Sequence, residues 1–345
     1  MKYSFFADYS EGAHPEILKC LVDHNDDQDL TYGNDKYCAL ASKRILKRFN
    51  IKDGEVHFIS SGTLANVVGL SSMLKPFEGI IAPSTGHINV HEAGAIEAVG
   101  HKIIYLDTPD GKLTPDHIEK AMLTYEDEHT VIPRILYLTQ STETANLYTK
   151  AELKSVIDRA KFHGLYVFVD GARLPMAFAS AKSDMTPEEF GALGIDMFYI
   201  GGTKNGGLFG EAIVITNPLL QPYFRNHMKQ RGAILGKARA IGAQFARFFD
   251  EDDLFIKVAK HACDGAKKMY DGLVELGIEF ENEALVNQIF PIFETVHLDE
   301  LEKLYGFYRY EKIGNDKQKI RLVISWATPQ SAIEEFLKDV KTILG

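Results

Sequence analysis

Lys204 lies in "GGTKNGGL" (201–208), between the apolar runs "MFYI" (197–200) and "AIVI" (212–215). Surface lysines ordinarily ride the polar faces of helices. The flanking runs predict two buried strands, so this primary amine emerges at a strand end into an interior cleft, where it can act on a carbonyl. Asp170 closes another apolar run, "LYVFVD" (165–170), and is followed by Gly171, Ala172 and Arg173. An acid at the mouth of a sheet calls for a cation; a local charge pair with Arg173 or a helix cap would serve the same residues. Upstream, "FISSGTLAN" (58–66) ends a strand on Ser60 and Ser61 and opens a helix with Gly62 and Thr63. Free N–H groups and hydroxyls at such a start form an anion cup, although an unliganded helix cap has the same composition. An amine, an acid and an anion cup, each at a strand end, are the parts that hold pyridoxal phosphate. The amine would join its aldehyde, Asp170 would keep its pyridine nitrogen protonated, and the cup would take its phosphate.

These groups need a scaffold that brings strand ends together. Short apolar runs at 56–61, 79–84, 102–107, 133–141, 165–172 and 196–202 alternate with helical patterns at 63–74, 114–123 and 149–164. That alternation predicts an α/β fold, a mostly parallel sheet flanked by helices, and ligands in such sheets collect beyond the carboxyl ends of the strands. From about residue 253 the pattern changes to one long helix, separated strands such as "KIRLVISWA" (319–327) and a closing helix. We expect a large domain over 15–250 and a smaller α+β domain made of 1–14 and 251–345.

The chain has 345 residues, 45% of them hydrophobic, which is enough for a large core. Its net charge of −10 argues against nucleic acid or an anionic membrane as the main partner. Cys20, Cys38 and Cys263 have no paired spacing, so neither a disulfide framework nor a metal site is expected, and a reducing, cytoplasmic compartment is. No apolar run approaches the roughly twenty residues of a spanning helix.

Six ordered segments carry a resemblance: "DLTYGND" (29–35), "SSGTLAN" (60–66), "GHINVHEAGA" (86–95), "VDGARL" (169–174), "GGTKNG" (201–206) and "IRLVISWAT" (320–328). Together they resemble the threonine aldolases and related aromatic amino acid β-eliminating lyases, which are fold-type I pyridoxal-phosphate enzymes. The resemblance implies a lyase that cleaves β-hydroxy-α-amino acids to glycine and an aldehyde, with β-elimination or transamination of another amino acid as the alternative. It places Lys204 and Asp170 at the cofactor as above, Ser61, Gly62 and Thr63 at its phosphate, and His87 stacked on its ring. Arg173 and Arg321 fall where the family binds the substrate carboxylate, a task suited to the guanidinium fork. Asp8 lies in the N-terminal segment associated with that contact. Tyr32 sits in a loop that approaches the site from a neighbouring subunit, and Lys237 matches a basic residue that reaches a neighbour's phosphate. Those two imply a homo-oligomer, a dimer or tetramer.

Two departures stand out. The family's N-terminal "Ser-Asp-Thr" reads "ADY" here (7–9), so one carboxylate contact is lost. The histidine that often lies near the substrate hydroxyl is replaced by Thr142 and Glu143; Glu143 could accept the hydroxyl proton or could be a solvated turn residue. A nucleotide-binding dehydrogenase would also explain the alternating strands, but no G-x-G-x-x-G follows the first strand. A non-catalytic scaffold would have no use for Lys204, Asp170 and Arg321 together.

Overall fold

The computed structural model describes residues 1–345. Seven strands build the main sheet: β1 (Glu55–Ile59), β2 (Glu78–Pro83), β3 (Lys102–Leu106), β4 (Ile132–Thr139), β5 (Tyr166–Asp170), β6 (Met197–Gly201) and β7 (Glu211–Ile215). Their spatial order is β1-β7-β6-β5-β4-β2-β3. Neighbours from β6 to β3 run parallel, while β7 is antiparallel to both β6 and β1.

Because side chains alternate faces along a strand, apolar residues at every position imply cover on both sides. Ile81, Leu136, Leu138, Val167, Val169, Phe198, Ile200 and Val214 enter one core. The residues between them, among them Ile80, Ile135, Tyr137, Phe168, Met197, Tyr199 and Ile213, enter the other. Helices α1 (Lys36–Arg48), α4 (Lys150–Phe162) and α5 (Arg239–Phe248) cover the first face; α2 (Gly62–Ser72) covers the second. The helix expected from Thr149 forms as α4: the Thr149 hydroxyl accepts from the Glu152 N–H, the Glu152 carboxylate accepts from the Thr149 N–H, and Gly164 leaves the helix at φ +69°. One turn, α3 (His87–Val90), follows β2.

The C-terminal part forms an antiparallel sheet of β8 (Glu279–Phe280), β9 (Gln288–Ile289), β10 (Pro291–Glu294), β11 (Tyr308–Ile313) and β12 (Lys317–Val323), in which β12 pairs with β9, β10 and β11. It has its own apolar cluster, which the N-terminal Phe5 joins, and Tyr3–Ser4 pairs with Tyr305–Gly306. Ala13 and Ile17 already belong to the large core. Helix α6 (Leu254–Glu275) serves both bodies: Leu254, Phe255 and Val258 pack into the large core, and Ala266, Met269 and Leu273 into the small one. Helix α7 (Gln330–Leu344) closes the small sheet. No helix is long and apolar enough to cross a membrane.

Candidate active site

The strand register collects the chemistry at one edge. Thr139 on β4 lies opposite Asp170 on β5, Gly201 on β6 lies opposite Glu211 on β7, and Glu211 lies opposite Ile59, the last residue of β1. The loops leaving β5 and β6 press together, and the Gly201 N–H donates to the Gly171 carbonyl at 2.9 Å. A Cβ on Gly171 would overlap the Tyr199 carbonyl, and one on Gly201 the Ala172 carbonyl. Glycine at both positions is what lets the Asp170 and Lys204 turns approach.

Lys204 occupies a single 3₁₀ turn, Thr203–Asn205, closed by Gly206 at φ +83°. Its side chain is half-buried and faces Arg173, Asp8, Glu143 and Asp170, with Tyr9 alongside at 6.0 Å from Nζ to ring centroid. Burial lowers its pKa most and Arg173 lowers it further, against the three carboxylates. The turn rests on buried Glu211, which accepts from the Gly202 N–H at 2.6 Å and the Thr203 hydroxyl at 3.0 Å.

Asp170 is buried and held on three sides. One oxygen accepts from Tyr137 Oη at 2.7 Å and Asn66 Nδ2 at 3.1 Å, and the other accepts from the Ala172 N–H at 3.0 Å. Asn66 also donates to Glu92 at 2.8 Å, so two buried carboxyls share one amide. Glu92 Oε2 and Asn66 Oδ1 have no partner. Asn66 and Glu92 lie within the motifs quoted above; Glu92 sits in the bend that follows α3, and only the fold brings it to Asn66. Burial, reinforced by Asp170, pushes Glu92 up to about 7, against Asn66 and His87.

That shift has a stability consequence. A carboxyl whose pKa rises from 4.5 to about 7 on folding supports the fold fully below pH 4.5 and loses that support as pH rises through 7. The swing is about 3 kcal/mol. Glu211, also pushed up to about 7 by burial, adds a slope of the same sign. We expect Glu92→Gln to remove roughly half of the decline in urea midpoint across this pH window. A mutant profile parallel to wild type would show that Glu92 does not carry this proton.

His87 opens α3, with Nδ1 3.5 Å from Glu143 and Nε2 3.9 Å from Glu92. Burial disfavours its charge most, but Glu143 and then Asp170 together outweigh it, and the net pKa is raised. Burial likewise works against the Glu143 carboxylate, yet His87, Lys204 and Arg173 bring it down to about 2. Glu143 is therefore an ion-pair partner of His87 and no solvated turn residue.

Arg173 forms a two-bond fork with Asp8, 2.7 Å from Nε and 3.1 Å from a terminal nitrogen, and Asn287 Nδ2 donates to the same carboxylate at 2.9 Å. Asp8 is buried, with both oxygens engaged by these donors. Arg321, on β12, lies over the Tyr308 ring at 5.3 Å, and its buried Nε has no partner.

At the start of α2, Ser61 Oγ accepts from the Leu64 N–H at 3.4 Å, leaving the first N–H groups, those of Gly62 and Thr63, without helical acceptors. Tyr32 and Lys237 lie elsewhere in an exposed patch: the Tyr32 N–H donates to the Gly236 carbonyl, and Lys229 lies over its ring at 5.4 Å. Neither hydrogen-bonds nor pairs with the groups around Lys204.

The residues present fit pyridoxal phosphate. The amine is depressed, the acid beside it is rigidly oriented, the helix start offers N–H donors, and Arg321 Nε and Asn66 Oδ1 are buried without partners. Residues 16–295 match the β-eliminating lyase family. This chain is a member of that family. A low-specificity L-threonine aldolase from a Pseudomonas species is 31% identical over 99% of this chain and 98% of its own. The solved Leishmania major threonine aldolase is 41% identical, with a TM-score of 0.97 over 99% of this chain and 100% of that one. The Sphingomonas wittichii serine palmitoyltransferase, 13% identical, covers 99% of this chain and 86% of its own at a TM-score of 0.73, a likeness of fold alone. The main sheet of this β-eliminating lyase is thus the fold-type I architecture.

Proposed function

We propose that this chain is a pyridoxal-phosphate-dependent lyase that cleaves β-hydroxy-α-amino acids to glycine and an aldehyde. The observation that carries the reading is the depressed Lys204 amine facing Asp170 at the carboxyl edge of the parallel sheet. Lys204 would attach the cofactor, Asp170 would hold its ring nitrogen, Ser61, Gly62 and Thr63 would take its phosphate, and His87 would lie on its ring. When bound, the cofactor supplies a sink for the electron pair released at the substrate Cα. The chain's own task is orientation. Arg321, with its free Nε, and Arg173, fixed by Asp8, clamp the carboxylate so that the Cα–Cβ bond is the one presented for cleavage. The His87–Glu143 pair fixes the imidazole plane.

Arg321→Lys keeps the charge and loses the fork. Its kcat/KM should fall about 10²-fold, mainly through KM. A fall confined to kcat would remove Arg321 from the carboxylate. The reaction itself is tested by product mass after incubation with L-threonine, L-allo-threonine, tyrosine, tryptophan and serine. Glycine plus aldehyde supports aldol cleavage. Pyruvate and ammonia from serine, with no glycine from either threonine, would replace it with β-elimination, and dependence on a keto-acid acceptor would mark transamination.

Two finer readings belong here. The exposed patch of Tyr32 and Lys237 supports the reading that it meets a second copy's site and that the working form is a homo-oligomer, a dimer or tetramer. Three unpaired cysteines suit a cytoplasmic protein. We place the division near residues 15 and 250; Phe5 in the small cluster and Ile17 in the large one support it, while Ala13 and α6 cross it.

A further inference from the structure

Cleavage of a Cα–Cβ bond needs a base for the β-hydroxyl proton, and most candidates in the site are committed. Glu143 is spent on His87, and a carboxylate held at about 2 is a weak acceptor at neutral pH. His87 lies between Glu143 and Glu92. Glu92 is buried against Asn66, Tyr137 donates to Asp170, and Lys204 carries the cofactor in the proposed reading.

One basic side chain beside His87 has no hydrogen-bond or ion-pair partner. His91 caps the C-terminus of α3 four residues after His87, and the two rings lie side by side with centroids 5.5 Å apart. It is exposed, and its ring nitrogens make no hydrogen bond or ion pair with the rest of the chain. The charges that act on it are those of Glu143 from the loop after β4, His87 from α3, Arg321 from β12 and Lys204 from the turn after β6. With its ring beside the proposed stacking imidazole, it lies within the field of the proposed carboxylate anchor and cofactor lysine.

Resting on the lyase reading above, we infer that His91 is the catalytic base that takes the β-hydroxyl proton of the substrate. The O–H proton passes to a free ring nitrogen and the oxygen electron pair becomes the aldehyde C=O. The Cα–Cβ bond breaks, and its electron pair stays on the glycine Cα. The Cα then takes a proton from solvent to complete glycine, and the imidazolium returns its own proton to solvent, so no net proton is consumed. Partial burial lowers the His91 pKa, and His87, Arg321 and Lys204 lower it against Glu143, so the ring is neutral and able to accept at pH 7.

The test separates this step from the rest of the chemistry. Exchange of the glycine α-proton in heavy water uses the same cofactor and carboxylate clamp but involves no β-hydroxyl. In His91→Asn holoenzyme, cofactor absorbance and the glycine exchange rate should stay within about twofold of wild type while threonine and allo-threonine cleavage falls about 10²- to 10³-fold. The acid limb of kcat/KM in wild type, which the lowered His91 pKa places below the ordinary histidine range, should vanish in the residual activity. Cleavage within threefold of wild type, a retained acid limb, or glycine exchange that falls in parallel with cleavage would each overturn the assignment. Glu143→Gln that loses cleavage while His91→Asn keeps it would move the base to Glu143. Wild-type protein that neither exchanges the glycine proton nor cleaves any β-hydroxy amino acid would overturn the lyase reading and the role of His91 with it.

Discussion

Lys204→Ala protein should purify without the colour of a lysine-bound cofactor, resist trapping by borohydride, and lose about 10⁴-fold or more in cleavage rate. The turn that carries the side chain should survive. Its shape is set by Gly206 in the left-handed region and by Glu211 accepting from Gly202 and Thr203, none of which depends on the lysine. Folding is therefore separable from chemistry, and circular dichroism should overlay the wild type. If colour and borohydride trapping persist in the alanine variant, another amine holds the cofactor and the site has been placed wrongly.

The second large effect is expected at Asp170. Three donors converge on this carboxylate, from Tyr137, Asn66 and Ala172. Asparagine is nearly isosteric but must turn an NH₂ group toward one of those donors, and it carries no charge to keep a ring nitrogen protonated. Asp170→Asn should lower kcat about 10³-fold and weaken cofactor retention. The change leaves the carboxylate clamp intact, so substrate affinity should move little. Tyr137→Phe removes a single donor and should cost only about tenfold. An Asp170→Asn enzyme with kcat near wild type would mean that no charge is needed behind the ring.

Much of this architecture was legible because its causes are local. Unbroken apolar runs bounded by turn residues specify strands buried on both faces, and Thr149 with Glu152 announces a helix start from three residues of spacing. The same locality exposed Lys204 and Asp170, since a charged residue at the end of an apolar run has few other uses. Tyr137, Asn66 and Glu92 escaped because nothing near them in the chain shows what they touch. Asn66 reaches Asp170 across 104 positions and Tyr137 reaches it across 33. Glu211 escaped for the same reason. At the head of a strand it resembles any capping acid, and only the pairing of Gly201 with Glu211 brings it under the lysine turn.

From the order of residues alone came the alternating fold, the amine and the acid at strand ends, and the helix start that suits a phosphate, since each depends on neighbours within one element. Tertiary structure decided how the charges divide among themselves. Asp8 pairs with Arg173 across 165 positions, and Glu143 pairs with His87 across the site, pairings that no spacing in the sequence announces. His91 was left free by those choices. Partner selection among buried charges follows distance and lost hydration, which exist only once the chain has closed its long loops.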